Sequence, residues 1–138
     1  MSACSLTLEA AEKAAAAKGL VVVIPKANEL FVDIDSAEDF AVFEKHVERL
    51  QAASHQELGC AVLDYRVTPS NSGGERRHAV VTLSRDVKSD VERCLLQACL
   101  GSDRLRELLS WVRIESGVRV HPTVFFERPA ANVEEVSW

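Results

Sequence analysis

A chain of 138 residues, 47% hydrophobic and 27% charged, is sized for one globular domain with a real core, and a net charge of −5 argues against a general polyanion binder. Leu20 to Pro25 is too short to span a membrane, and Met1 to Gly19 carries acids where a secretory leader needs a basic start and an apolar middle. Cys4, Cys60, Cys94 and Cys99 form no CxxC pair and have no His at ligand spacing, so they signal neither zinc nor a disulfide framework; reduced thiols fit the cytoplasm, the expected location.

Leu6 to Lys18 is Ala-rich and predicts a helix that Gly19 closes. Leu20 to Ile24 is a β-branched run stopped by Pro25, which predicts a short buried strand. Glu29 to Asp35 predicts the next strand. Alternation sends Leu30, Val32 and Ile34 to the core and Phe31, Asp33 and Asp35 to the other face. Two carboxylates on one face repel unless a cation or a basic group lies between them, which suits a metal site or an open surface. Ser36 followed by Asp39 also resembles a helix N-terminus, and acids near a first turn are favoured by the dipole; that accounts for Asp35 but not for Asp33.

From Ala37 to about His55, Phe40, Phe43, Val47 and Leu50 mark one face of a helix, with His46 and His55 expected on the exposed side. Cys60 to Thr68 predicts a strand with Ala61, Leu63, Tyr65 and Val67 on one side and Val62, Asp64 and Arg66 on the other. Thr68 to Gly74 is a turn-forming loop. In the strand Arg76 to Leu83, Arg77, Ala79, Val81 and Leu83 make the more apolar face and put His78 on the opposite one.

Asp86 to Leu100 is expected to be helical, with Val91, Leu95, Ala98 and Cys99 inward. Gly101-Ser102-Asp103 breaks it and caps a second helix carrying Leu105, Leu108, Leu109 and Val112. Pro122 to Glu127 holds a strand by composition. Residues 1–128 are thus expected to form a single α+β domain and 129–138 a polar C-terminal tail with Trp138 at its end.

From residue 29 onward the order is strand, helix, strand, strand, helix pair, strand. This is the split βαβ pattern of ferredoxin-like and RNA-recognition-type domains, here with an added N-terminal helix and strand. In that arrangement the helices cover one sheet face, and Asp33, Asp35 and His78 come together on the open one. Ten of the eleven basic residues between Cys60 and Arg128 are Arg, whose planar fork suits phosphate.

Val32-Asp33-Ile34-Asp35, followed by Thr68-Pro69-Ser70 through Gly73-Gly74 to His78, resembles the archaeo-eukaryotic primase superfamily, especially the small primase-polymerases of phages and plasmids. The resemblance spans roughly residues 29 to 115. It implies a nucleotidyltransferase of phage or mobile-element replication whose partners are a nucleoside triphosphate and nucleic acid. It further implies that Asp33, Asp35 and a third acid, Asp103 or else Glu115, hold Mg²⁺ or Mn²⁺ and carry the chemistry. Ser70, Ser72, Gly73, Gly74, Arg76, His78 and Arg113 would contact the nucleotide. On that reading His78→Ala weakens triphosphate binding and leaves the melting temperature nearly unchanged. Three residues separate Gly74 from His78, more than the family's usual step.

Two other readings stand beside this one. A non-catalytic nucleic-acid-binding or protein-interaction module with the same fold accounts for the short chain, and a dimerising sheet face would use Phe31, Tyr65 and Trp138. A rolling-circle nuclease is disfavoured, because His46, His55, His78 and His121 make no His-x-His pair.

Overall fold

The alternating strand from Glu29 and the strand that carries His78 do pair, and they set the frame of the protein. The computed structural model describes residues 8–52, 59–69, 74–117 and 125–127. Its elements are helix α1 (Leu8–Ala17), strands β1 (Val21–Val23) and β2 (Glu29–Ile34), helix α2 (Ala37–Ala52), strands β3 (Val62–Pro69) and β4 (Arg77–Leu83), helices α3 (Asp90–Cys99) and α4 (Arg104–Glu115), and strand β5 (Phe125–Glu127). This is a mixed α+β architecture around an antiparallel three-stranded sheet of order β2-β4-β3, with a separate two-stranded ribbon of β1 and β5. No helix among the described residues is long and apolar enough to cross a membrane. The tail 129–138 and His55 lie outside the described residues.

One face of the sheet is the core. Leu30, Val32 and Ile34 of β2 meet Ala79, Val81 and Leu83 of β4, and Phe43 and Val47 of α2 close over them with Leu96 and Leu100 from the α3 side. Burial of these side chains at roughly 25 cal/mol per Å² is the main force holding α2 to the sheet. Tyr65 packs edge-on to Phe43, with ring centroids 5.2 Å apart.

β3 departs from strict alternation. Val62 pairs with Leu83 and Asp64 with Thr82, so Leu63 is an extra residue in the ladder. The bulge reverses the faces at that point. Val62 and Val67 are therefore both buried, and Leu63 is exposed, contrary to the expected pattern.

β1 was expected to be buried; instead Val21 is exposed and the strand is only partly covered. Its sole strand partner among the described residues is β5, in a two-stranded ribbon, which leaves much of it uncovered. α1 ends where expected: Gly19 takes φ +70 and Leu20 N–H donates to the Ala15 carbonyl at 2.9 Å, a left-handed helix stop.

The largest correction concerns α3. The helix starts at Asp90, behind an extended Ser89 whose hydroxyl accepts from Glu92 N–H. Its inward residues are Arg93, Cys94, Leu96 and Gln97, whereas Leu95, Ala98 and Cys99 are exposed. The physical reason lies at the edge of β2. Among the described residues the outward N–H and C=O groups of residues 29, 31 and 33 meet no neighbouring strand, and buried backbone groups need partners.

Side chains supply those partners. Arg93 Nε donates to the Glu29 carbonyl at 3.1 Å, Gln97 Oε1 accepts from Phe31 N–H at 2.8 Å, Arg106 Nη1 donates to the Phe31 carbonyl at 2.8 Å, and Ser102 Oγ accepts from Asp33 N–H at 3.0 Å. The Asp103 amide completes the row on the Asp33 carbonyl at 3.0 Å. A helix corner thus occupies the place beside β2 where the split pattern calls for a fourth strand, and β5 pairs with β1 instead.

Candidate metal centre and cleft

β2 ends at Ile34, so Asp33 and Asp35 flank the last residue of the strand, and Ser36 Oγ accepts from Asp39 N–H at 3.1 Å to start α2. Both backbone polar groups of Asp33 are gripped by the corner that joins α3 to α4. The corner itself is shaped by Gly101 at φ +91, with Ser102 N–H donating to the Gln97 carbonyl and Gly101 N–H to that of Ala98, both at 3.0 Å. Only glycine takes this left-handed backbone without strain. The turn delivers Asp103 to the end of β2.

Asp103 is the N-cap of α4, its carboxylate accepting from Leu105 N–H at 3.1 Å. It remains close enough to the other two acids that Asp33, Asp35 and Asp103 each offer an oxygen within 4.8 Å of the others. Three carboxylates in this arrangement are close enough to bind a metal ion. The donor set is all hard oxygen, which suits a cation that prefers carboxylates over nitrogen or sulfur. Burial, then the charges of Asp103 and Asp33, push the Asp35 carboxyl above its ordinary range, while Arg76 pulls it back.

The acids border a cleft of about 460 Å³ between α2 and the α3–α4 corner. α2 lines it with Asp39, Val42 and His46, which recur at helical spacing on one face. His46 was expected to be an exposed bystander. It is half-buried instead, and its Nδ1 is shielded from water with no hydrogen-bond partner among the described residues. The signal available in the sequence was its seven-residue spacing from Asp39, which puts both on the stripe next to Phe43 and Val47.

Several residues expected at the site are near it. Arg76 Nε lies 3.6 Å from Asp35 Oδ1. His78 sits opposite Asp33 in the strand register, with Nε2 3.9 Å from Asp33 Oδ1. Gly74, at φ +66, accepts from Arg77 Nη1 through its carbonyl. Ser70, Ser72 and Gly73 lie outside the described residues. Arg113 is in the last turn of α4, about 15 Å along the helix from Asp103, and Glu115 about 18 Å, so neither joins the acids.

The face that carries His78 is not open there. Phe125 of β5 stacks on Phe31 at 4.5 Å and on His78 at 3.8 Å, with Arg106 4.8 Å above the same ring. His78 is only 9% exposed. The expectation of a stability-neutral surface histidine is therefore corrected. His78→Ala is expected to lower stability by about 2 kcal/mol through loss of a buried, stacked ring. A thermal melt of the variant unchanged from wild type would contradict this.

No protein-family model, no curated protein and no solved structure matches the chain.

Proposed function

We propose that this protein is a primase-polymerase-like, metal-dependent nucleotide-binding protein that holds Mg²⁺ or Mn²⁺ on Asp33, Asp35 and Asp103. The observation that carries this reading is the meeting of two acids at a strand end with a third from 68 residues further along, beside Arg76 and a cleft. The strand–helix–strand–strand–helix order and the β2-β4-β3 arrangement support a ferredoxin-like, RNA-recognition-type core beneath it.

The roles follow from the chemistry of phosphates. A divalent cation at the acids would neutralise phosphate charge and orient a triphosphate, which is most of what nucleotidyl transfer asks of a protein. Asp33, Asp35 and Asp103 would hold it. Arg76, half exposed next to Asp35, is placed to pair with a phosphate oxygen. The cleft wall of α2 brings His46 to the same space.

One observation favours a second reading, in which the fold binds nucleic acid without turnover: His78, the motif's phosphate ligand, is covered by Phe125. Titration calorimetry with a nucleoside triphosphate separates the two. With Mn²⁺ present, binding heat is expected, and EDTA should abolish it. Triphosphate binding that persists in EDTA, or none under either condition, overturns the metal-dependent reading. Oligonucleotide binding that survives EDTA and falls steeply with salt would then support the second.

A further inference from the structure

α4 is inside out. Its buried residues are the polar Glu107, held by Gln97, and Ser110; Arg106, half-buried like Leu109 and Ile114, serves the edge of β2. Leu105, Leu108, Trp111 and Val112 face outward instead, 45 to 62% exposed. With roughly 3.6 residues per turn, these four fall within an arc of about 120°, a continuous apolar stripe along a helix about 18 Å long. A stripe of this kind on a surface helix marks an interaction site.

The charges at its ends identify the occupant. Arg104 and Glu115 are exposed on the same stripe, one at each end. Each sits at the wrong end for its own helix, because cations belong at the C-terminus and anions at the N-terminus. Among the described residues neither has an ion pair. Arg104 also borders the acidic cleft, but that leaves Glu115 unexplained.

We propose that α4 docks on α4 of a second copy of this chain, antiparallel across a two-fold axis. In that pairing Arg104 meets Glu115 of the partner subunit, and each charge also lies beside the helix end that favours it. Leu108 then meets Trp111 of the partner subunit near the axis. The stripe is complementary to itself, as a two-fold interface requires. An apolar centre with an aromatic anchor and a charged rim is the usual anatomy of such a contact.

Sedimentation equilibrium tests this on the full chain. The wild type is expected to approach twice the 15.2 kDa chain mass as concentration rises. Leu108→Glu should remain a monomer at every concentration, with a normal circular dichroism spectrum. Arg104→Glu and Glu115→Arg should each weaken dimerisation about tenfold, since like charges then face each other. The double variant, which restores opposite charges, should recover it. A wild type that stays monomeric throughout overturns the proposal, as does a double variant no better than either single one. A protein that stays monomeric as the full chain and dimerises only once residues 129–138 are removed also overturns it and makes the chain's own C-terminal segment the occupant.

Discussion

Gln97→Leu should cost about 3 to 5 kcal/mol of stability, read as a lower urea midpoint at an unchanged slope. By pattern alone the change looks favourable, since it adds an apolar residue at a fully buried position of a helix. The cost comes from what Gln97 holds. Its Oε1 accepts from Phe31 N–H, and its Nε2 donates to both Glu107 carboxylate oxygens at 2.7 and 3.2 Å. Leucine would leave a buried amide and a buried carboxyl each missing a partner.

Glu107 is already under strain from burial, which pushes its carboxyl above the ordinary range against the opposing pull of Arg106, Gln97 and Ser102. The matched control is Leu95→Gln on the same helix. Leu95 is 60% exposed, so its replacement is expected to change stability by no more than about 0.5 kcal/mol. Equal effects for the two variants would mean that the polar row along β2 is not a principal support of the fold.

That pair of variants also locates what the sequence could and could not convey. Wherever an element packs an apolar face on the sheet, its pattern is readable: Leu30, Val32 and Ile34 alternate, Ala79, Val81 and Leu83 answer them, and Phe43 and Val47 sit on the inner stripe of α2. The rule fails for α3 and α4 because their inner surface meets a strand edge, which demands hydrogen-bonding side chains. Arg93, Gln97, Ser102 and Arg106 answer that demand, and a reading by hydropathy turns them outward.

The acids divide along the same line. Asp33 and Asp35 are neighbours through the chain, so their pairing follows from strand geometry alone. Asp103 reaches them because Ser102 and Asp103 latch onto the Asp33 backbone, a contact no periodicity encodes. The bulge at Leu63 and the covering of His78 by Phe125 are likewise products of tertiary pairing.

Asp35→Asn should stabilise the protein without metal and destabilise it relative to wild type once metal is added. Without a cation, three carboxylates offer oxygens within 4.8 Å of one another, and the only basic group paired with Asp35 among the described residues is Arg76, at 3.6 Å and half exposed. Neutralising Asp35, the side chain at the rim with 42% exposure, removes repulsion at little cost in attraction. Coulomb's law at high effective dielectric puts the relief at roughly 0.5 to 1 kcal/mol, or an increase of roughly 2 to 4 °C in melting temperature.

Mn²⁺ should reverse the order. At a metal concentration about 100 times the dissociation constant, a protein that binds only when folded gains about 2.7 kcal/mol. Losing a ligand should weaken binding by at least about 100-fold, the upper end of what losing an outer-shell partner costs, so the variant gains about 0.4 kcal/mol or less. The two melting curves therefore exchange places as metal is added. An Asp35→Asn protein that melts lower than wild type in EDTA, or that gains as much from Mn²⁺, would show that the three acids are a capping and surface feature rather than a cation site.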